Sequence, residues 1–397
     1  MKLALLGSDY ESISLATAAV AQGHQVGWAG DTDWARRQYE LPWLPADDLA
    51  DQWESLLDDH FCDAVIVGRG DAPSDFRAMQ VSLLAKNGIA QLVTFPLVSS
   101  VLSYYEIDMA QQESGSLLHH FNPATVPQPI IDRCAGWVLD DHPELGEIEQ
   151  LVWERPLGDR SREQVLWHFS RDVQLLTQVA GRLNRLGALG SPDEATTYAG
   201  LSVQMLGERK LPVRWSVGPV EGSEQPQLAL VAKNGKCTVL FDEQGRAFQT
   251  ELVHASQNLK TELEIVDPSA ISVANFTAAL KDEKSCRSTW TDALRCMELS
   301  DTIEISLRRG RMIDVHPQQL TEQLSFRGTM SAAGCGVLLI LPPLLLLLGW
   351  MGELFGLPVA RYWPHVLLAL LATFLLIQLL SKFLIRGPTD QESDGLR

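Results

Sequence analysis

Two long uncharged, apolar stretches in the last fifth of the chain constrain it more than any other feature. Between Arg327 and Glu353 there is no charged residue, and residues 332–350 are almost wholly apolar, close to the roughly 20 residues that cross a bilayer's hydrocarbon core. A second uncharged stretch runs between Arg361 and Lys382, with Tyr362 and Trp363 where an interfacial aromatic belt sits. Both are apolar on every face, the pattern of a lipid-facing helix rather than of an amphipathic core hairpin. Transmembrane helices are therefore expected over 332–350 and 363–381. Pro342-Pro343 should kink the first, which membrane helices tolerate when neighbours satisfy the freed carbonyls.

The flanks set an orientation. Arg308, Arg309, Arg311 and Arg327 precede the first span and Lys382 and Arg386 follow the second, whereas Arg361 alone lies between them. The positive-inside bias then puts the soluble part and both termini in the cytoplasm of a two-span membrane protein, with the lipid bilayer as its first partner. Residues 316–331 read as a juxtamembrane linker and 387–397 as a short disordered tail. At the other end, the apolar run 1–7 is too short for a signal-peptide core and is followed at once by Ser8-Asp9-Tyr10-Glu11, so export of the soluble part is not expected.

A formal net charge of -18 over 397 residues argues against nucleic acid, whose binding relies on Lys and Arg displacing counterions. The six cysteines (Cys62, Cys134, Cys237, Cys286, Cys296, Cys335) form no C-x-x-C pair and have no histidine at zinc spacing. Neither a disulfide framework nor a metal site is indicated.

The soluble part opens with an apolar β-like run over 2–6, a turn over 7–12, an Ala-rich helix over 13–22 closed by Gly23, and a strand over 25–29 ending at Gly30-Asp31. This is a βαβ unit, and Asp31 stands near where an acidic side chain accepts hydrogen bonds from a dinucleotide's ribose. The glycine fingerprint is incomplete. Where G-x-G-x-x-G is expected the chain reads Gly7-Ser8-Asp9-Tyr10-Glu11-Ser12. Ser12 is a small substitute for the third glycine, but a carboxylate at Asp9 repels phosphate unless it is turned aside or offset by the helix N-terminus.

Helices are expected over 46–58, 75–86 and 104–114, alternating with strands over 64–67, 91–94 and 117–120. The fold class that follows is α/β, a Rossmann-like doubly wound parallel sheet over 1–123. Its crevice would lie at the carboxyl ends of the strands, which nominates Gly7, Ser8, Asp31, Gly68, Arg69, Phe95 and Pro96 as cofactor-binding residues. After Pro127-Gln128-Pro129, read as a linker, the pattern changes. A strand over 148–154, a helix over 167–179, and strands over 198–205, 213–217, 228–232 and 238–241 joined by turns such as 233–236 indicate an α+β domain over 124–315 with a mostly antiparallel open sheet. Helices over 271–281 and 291–308 close it. Trp153, Trp167 and Trp215 could stack on a sugar, although tryptophans in such a sheet usually belong to the core.

Over roughly residues 1–315 the chain resembles the Gfo/Idh/MocA family of nicotinamide-dependent sugar and polyol oxidoreductases. The points of similarity are the first βαβ with Asp31, the strand Asp63-Ala64-Val65-Ile66-Val67, the strand ending in Thr94-Phe95-Pro96-Leu97, and Phe121-Asn122-Pro123. The stretch from Asn275-Phe276 through Ala293-Leu294 to Gly310-Arg311 resembles the family's returning helix. The resemblance implies NAD or NADP as cofactor, a sugar-like small molecule as ligand, and a homodimer through the second-domain sheet.

The departures bear on chemistry. Family members carry Glu-Lys-Pro where this chain has Thr94-Phe95-Pro96, and that lysine is assigned to proton transfer. A positioned proton-transfer group is worth about 10²–10⁴ in rate, and phenylalanine cannot supply it. The family's His-x-x-Asp signature aligns with Trp167-His168-Phe169-Ser170-Arg171-Asp172, which keeps Asp172 but places Phe169 at the histidine position. His168 is about 100° away around a helix, yet shares a face with Asp172 at i, i+4, so the two are the candidate catalytic pair. The leading expectation is a membrane-anchored NAD(P)-binding protein without standard hydride transfer. An active NAD(P)-dependent oxidoreductase acting on CH-OH groups, and a non-enzymatic membrane scaffold with a vestigial pocket, are the alternatives.

Overall fold

The computed structural model describes residues 1–58, 61–126, 129–190, 196–207, 210–220, 225–254, 257–281 and 290–315. Residues 1–317 form one compact unit. Its first half runs β1 (Lys2–Leu6), α1 (Tyr10–Ala21), β2 (Gln25–Gly30), α2 (Asp33–Gln38), a 3-10 segment Ala50–Leu57, β3 (Ala64–Val67), α3 (Ser74–Lys86), β4 (Gln91–Thr94), α4 (Val101–Ser114) and β5 (Leu118–Phe121). The five strands are all parallel, in the order β2-β1-β3-β4-β5.

Side-chain alternation explains why this sheet is covered on both faces. In β1, Leu3 and Leu5 face one core with Ile13, Leu15 and Ala16 of α1, while Ala4 and Leu6 face the other. β3 repeats the division, with Ala64 and Ile66 on the first side and Val65 and Val67 on the second. Strands buried on both faces read as continuous apolar runs, which is how they look in the sequence.

The second half runs α5 (Pro129–Asp140), β6 (Ile148–Pro156), α6 (Arg162–Ala180), β7 (Leu183–Leu189), β8 (Ser202–Gly207), β9 (Pro212–Gly218), β10 (Gln227–Ala232), β11 (Gly235–Phe241), β12 (Ala247–His254), β13 (Gln257–Glu262), α7 (Pro268–Lys281), α8 (Trp290–Arg309) and β14 (Ile313–Asp314). Nine strands make one sheet in the order β13-β12-β11-β10-β6-β9-β8-β7-β14. Only the β6–β9 pairing is parallel, so the sheet is mostly antiparallel, as expected. The final helices tie the halves together. Val273 and Phe276 of α7 enter the core beneath α1, and α8 packs against α4, α6 and β7.

Several local expectations need correction. The helix expected over 46–58 is a 3-10 segment, Ala50–Leu57, interrupted by non-helical geometry at Gln52. Pro129, read as linker, is the first residue of α5, where a missing N–H costs nothing. The strand expected over 198–205 begins at Ser202. β7 was not expected, because a register shift between Leu183 and Arg185 breaks its alternation. No helix among the described residues is long and apolar enough to cross a membrane. The spans expected over 332–350 and 363–381, with the linker 316–331 and the tail 387–397, lie outside the described residues.

The first turn is the tightest point of the parallel sheet. Gly7 has φ +78°, its N–H donates to the Gly30 carbonyl at 2.8 Å, and a Cβ there would sit 2.4 Å from the Gly68 carbonyl oxygen. Gly23 has a similar φ of +85° with nothing near its Cβ position, so it isolates the conformational cost. Gly23→Ala should cost about 1–2 kcal/mol of stability, the penalty of the left-handed region alone. Gly7→Ala should cost clearly more, read as a lower thermal midpoint of the purified protein. Equal midpoints for the two variants would mean that the β1–β3 approach is looser than described.

Candidate functional site

The crevice at the carboxyl ends of β1, β3 and β4 lies where strand order reverses, the place at which doubly wound sheets bind ligands. Asp9 caps α1 there. Its Oδ1 accepts the Ser12 N–H at 2.8 Å while the Ser12 hydroxyl accepts the Asp9 N–H at 2.9 Å, a reciprocal capping box. The other carboxylate oxygen reaches across the crevice. Oδ2 accepts the Arg69 N–H at 3.0 Å and the Thr94 hydroxyl at 3.0 Å, with the Arg69 Nε at 3.5 Å. An anion therefore already sits at the α1 N-terminus, and it belongs to the chain.

The contacts continue into α6. The Arg69 guanidinium lies 5.0 Å from the Trp167 ring centroid and that of Arg171 lies 4.4 Å from it, both within cation–π range. Arg171 in turn pairs with Glu11 of α1 at 2.6 Å. Glu11 is buried, and its Oε2 has no hydrogen-bond partner. Burial pushes its carboxyl above the usual range, Arg171 opposes that shift, and the neighbouring Asp9 reinforces it. Asp9, Arg69, Trp167, Arg171 and Glu11 thus form a continuous bridge from the first turn to the second half and back.

Asp31 is equally committed. Its Oδ1 accepts the Asp71 N–H at 3.1 Å, its Oδ2 accepts the Ala72 N–H at 3.1 Å, and Arg77 forms an ion pair with it. The Arg77 side chain is 1% exposed and also donates to the Arg69 carbonyl and to Gln80. Ser8 is buried against the Asp31 carbonyl and the Ala35 N–H. Gly68 abuts the Ser12 side chain, leaving no room for a Cβ. Of the nominated cofactor residues, Arg69 and Pro96 line an open cleft, whereas Phe95 is 1% exposed and packs on Tyr104 and His120.

The candidate catalytic residues share α6 but not a hydrogen bond. Asp172 is fully buried, accepts from Arg155 Nε at 3.0 Å and from Trp215 Nε1 at 2.9 Å, and is ion-paired with Arg155. His168 is driven down to about 2 by burial and then by Arg155, Arg171 and Arg69, so its ring stays neutral at working pH. Trp153 and Trp215 are core residues, while Trp167 faces the cleft. The side chains that sequence reasoning did not nominate are Glu11, Arg77, Arg155 and Arg171. None of them carried a signal in the sequence, since an acid in a first helical turn and arginines within helices or a strand are ordinary.

Two hollows flank the bridge. A cleft of about 790 Å³ is lined by Arg69, Pro96, Ser161, Trp167, Ser300 and Glu304 among others. A second of about 330 Å³ lies beside Asp31, between Trp53, Phe76 and Arg77. Among the described residues no cluster of three or more His, Cys, Asp or Glu could hold a metal ion.

The sequence matches no protein-family model and no curated protein. Solved structures do share the fold. An aldose-aldose oxidoreductase from Caulobacter crescentus, complexed with glycerol, superposes with a TM-score of 0.63 at 13% identity, covering 79% of this chain and 99% of that one. A mutant 3-ketoreductase from Actinomadura kijaniata, in complex with TDP-benzene and NADP, gives 0.60 at 16% identity over 77% and 97%. An oxidoreductase from Agrobacterium radiobacter in complex with NAD+, L-tartaric acid and magnesium gives 0.59 at 13% over 79% and 98%. The fold is that of Gfo/Idh/MocA-type NAD(P)-dependent oxidoreductases, for which NAD or NADP is the corresponding cofactor.

Against that fold the residues of the crevice fit a dinucleotide in part. The hollow beside Asp31, walled by Trp53 and Phe76, suits an adenosine-sized group. The diphosphate place does not fit, because the Asp9 carboxylate already takes the donors a phosphate would use.

His168 generates a test. The unfolded chain protonates this ring near 6.5 whereas the folded chain keeps it neutral, so the folded state loses stability as pH falls below about 6.5 and is unaffected above it. The loss from one such group is up to about 1.4 kcal/mol per pH unit. Melting midpoints at pH 7.5 and pH 5, with these values set as approximate conditions, should differ less in His168→Gln than in the unmodified protein. An undiminished difference would show that His168 is solvated.

Proposed function

We propose that this chain is a membrane-anchored protein on the NAD(P)-dependent oxidoreductase fold that does not carry out standard hydride transfer. The observation behind the proposal is the end of β4, where Phe95 is buried against Tyr104 and His120 and presents no group that can move a proton. The remaining candidates support the same reading. Asp172 neutralises Arg155 within the core, and His168 lies among three arginines that oppose its protonation. A general base needs both reach and a pKa near the operating pH; Asp172 is fully buried and has no reach, and His168 is held far below that pH.

The cleft of about 790 Å³ has the size of a small-molecule site. Its lining sets hydroxyls (Ser161, Ser300) beside acids (Glu163, Asp301) and arginines (Arg69, Arg162), next to Trp167. Such a set suits a neutral, hydroxyl-rich ligand, which is the chemistry of a sugar or polyol. Binding without turnover, at a membrane surface, is the role that joins these features to the apolar stretches 332–350 and 363–381.

Two measurements test this reading. The purified full-length protein, supplied with NAD or NADP and a panel of sugars and polyols, should show no formation of reduced nicotinamide above a protein-free control. Turnover would overturn the loss of hydride transfer. The full-length chain should resist alkaline extraction from membranes while a chain ended at residue 317 is released. Protease added outside sealed cells should leave residues 1–317 intact; extraction of the full chain would remove the anchoring proposal, and cleavage from outside would remove the cytoplasmic orientation.

A further inference from the structure

We infer that Asp9 is a built-in occupant of the crevice's diphosphate place, so that the chain inhibits its own binding of dinucleotides. The inference deepens the reading above and rests on its assignment of the crevice, but not on the absence of turnover.

Three observations converge. The first is positional. A phosphate at the head of a doubly wound sheet is held by N–H groups at the first helix's N-terminus and by the backbone beyond neighbouring strands. Here one carboxylate spans that set, with Oδ1 on the Ser12 N–H and Oδ2 on the Arg69 N–H and the Thr94 hydroxyl. The second is electrostatic. The Arg69 side chain lies 3.5 Å from Asp9 and is the nearest cation that could meet a diphosphate, yet its charge is already answered. A diphosphate entering beside Asp9 would meet a like charge in a partly desolvated crevice, which opposes its binding.

The third observation is the bridge itself. Arg69 is held against Trp167, and Trp167 against Arg171, whose charge is matched by the buried Glu11 two residues after Asp9. Displacing Asp9 therefore frees Arg69 from both its carboxylate and its place on the ring. The bridge resists entry more than a single capping residue could. Tyr10, 51% exposed beside the same turn, is bound through its hydroxyl to Gln244 of the second half at 2.9 Å and adds a further tie across the crevice.

The beneficiary of opening is a ligand with an anionic diphosphate joined to an adenosine-sized group. Such a ligand could use the hollow of about 330 Å³ beside Asp31, with the exposed Phe76 ring available for stacking. No free inorganic phosphate would gain from that hollow, which separates the two ligand classes in an experiment.

The test compares the full-length protein with Asp9→Asn and Asp9→Gly by calorimetric titration with NADH, NADPH and inorganic phosphate. Asparagine caps a helix as well as aspartate, and glycine costs only a few tenths of a kcal/mol at that position, so both variants should fold. Each should bind NADH or NADPH at least about tenfold more tightly than the unmodified protein, and phosphate should gain less. Asp132→Asn, on the exposed face of α5, removes the same charge elsewhere and should leave the affinities unchanged. Affinities of both Asp9 variants within about twofold of the unmodified protein would overturn the inference, whether or not that protein binds a dinucleotide. An equal gain in Asp132→Asn would overturn it too, by reducing the effect to net charge. Turnover bears only on the preceding proposal, so the two readings fail separately.

Discussion

Burying a guanidinium without a counter-charge costs several kcal/mol, and this requirement organises the whole region between the two sheets. Arg77 sits at 1% exposure beneath the crevice and draws Asp31 onto itself. Arg155 does the same with Asp172 under the second sheet, and Arg171 with Glu11 at the head of α1. Three carboxylates at or near the crevice, those of Asp31, Asp172 and Glu11, are thereby assigned to cations of the chain. Strands, helix ends and loops are fixed around these pairs, because moving any one of them would leave a desolvated charge unmatched.

The parallel sheet was legible because its strands are buried on both faces and its helices lie between them. Apolar runs such as residues 3–6 and 64–67 have few other structural readings at that length. The outer strands of the second sheet were not. β13 is exposed along its whole length and β12 is mostly half-buried, so neither carries an apolar alternation to read. Their pairing is set by the strand beside them and not by their own residues. β7 was obscured differently, since a single bulge moves later side chains to the opposite face and cancels the two-residue period.

The site was half legible for a related reason. Sequence places a residue at the end of a strand but does not say what it touches. Gly7, Gly68, Arg69 and Pro96 could be nominated from strand ends alone. Arg77 could not, because it lies in the first turn of α3 and not at a strand end, and reaches Asp31 only once β2 and β3 flank β1. Asp9 is the informative intermediate case. Its charge looked incompatible with a phosphate-binding turn, and the structure shows the electrostatic reason it is tolerated: α1's N-terminus, Arg69 and Thr94 surround it with donors and positive charge.

Phe95 shows how far a single side chain at the end of β4 is tied into the packing of the chain. Its ring meets Tyr104 edge-on with centroids 6.0 Å apart and His120 at 5.4 Å, and Tyr104 stacks in turn on Trp290 of α8 at 4.9 Å. The chain of aromatic contacts runs from the end of β4 into the helix that joins the halves. A lysine in that place would put an ammonium into an apolar seat at a cost that buried, unpaired charges always incur. Tyr104 is itself tied down, its hydroxyl accepting the Leu97 N–H at 2.9 Å, so the surroundings cannot turn to meet the new charge. The position is part of the packing between β4, α4 and α8, and placing a charged group there would require rebuilding that contact along with the residue.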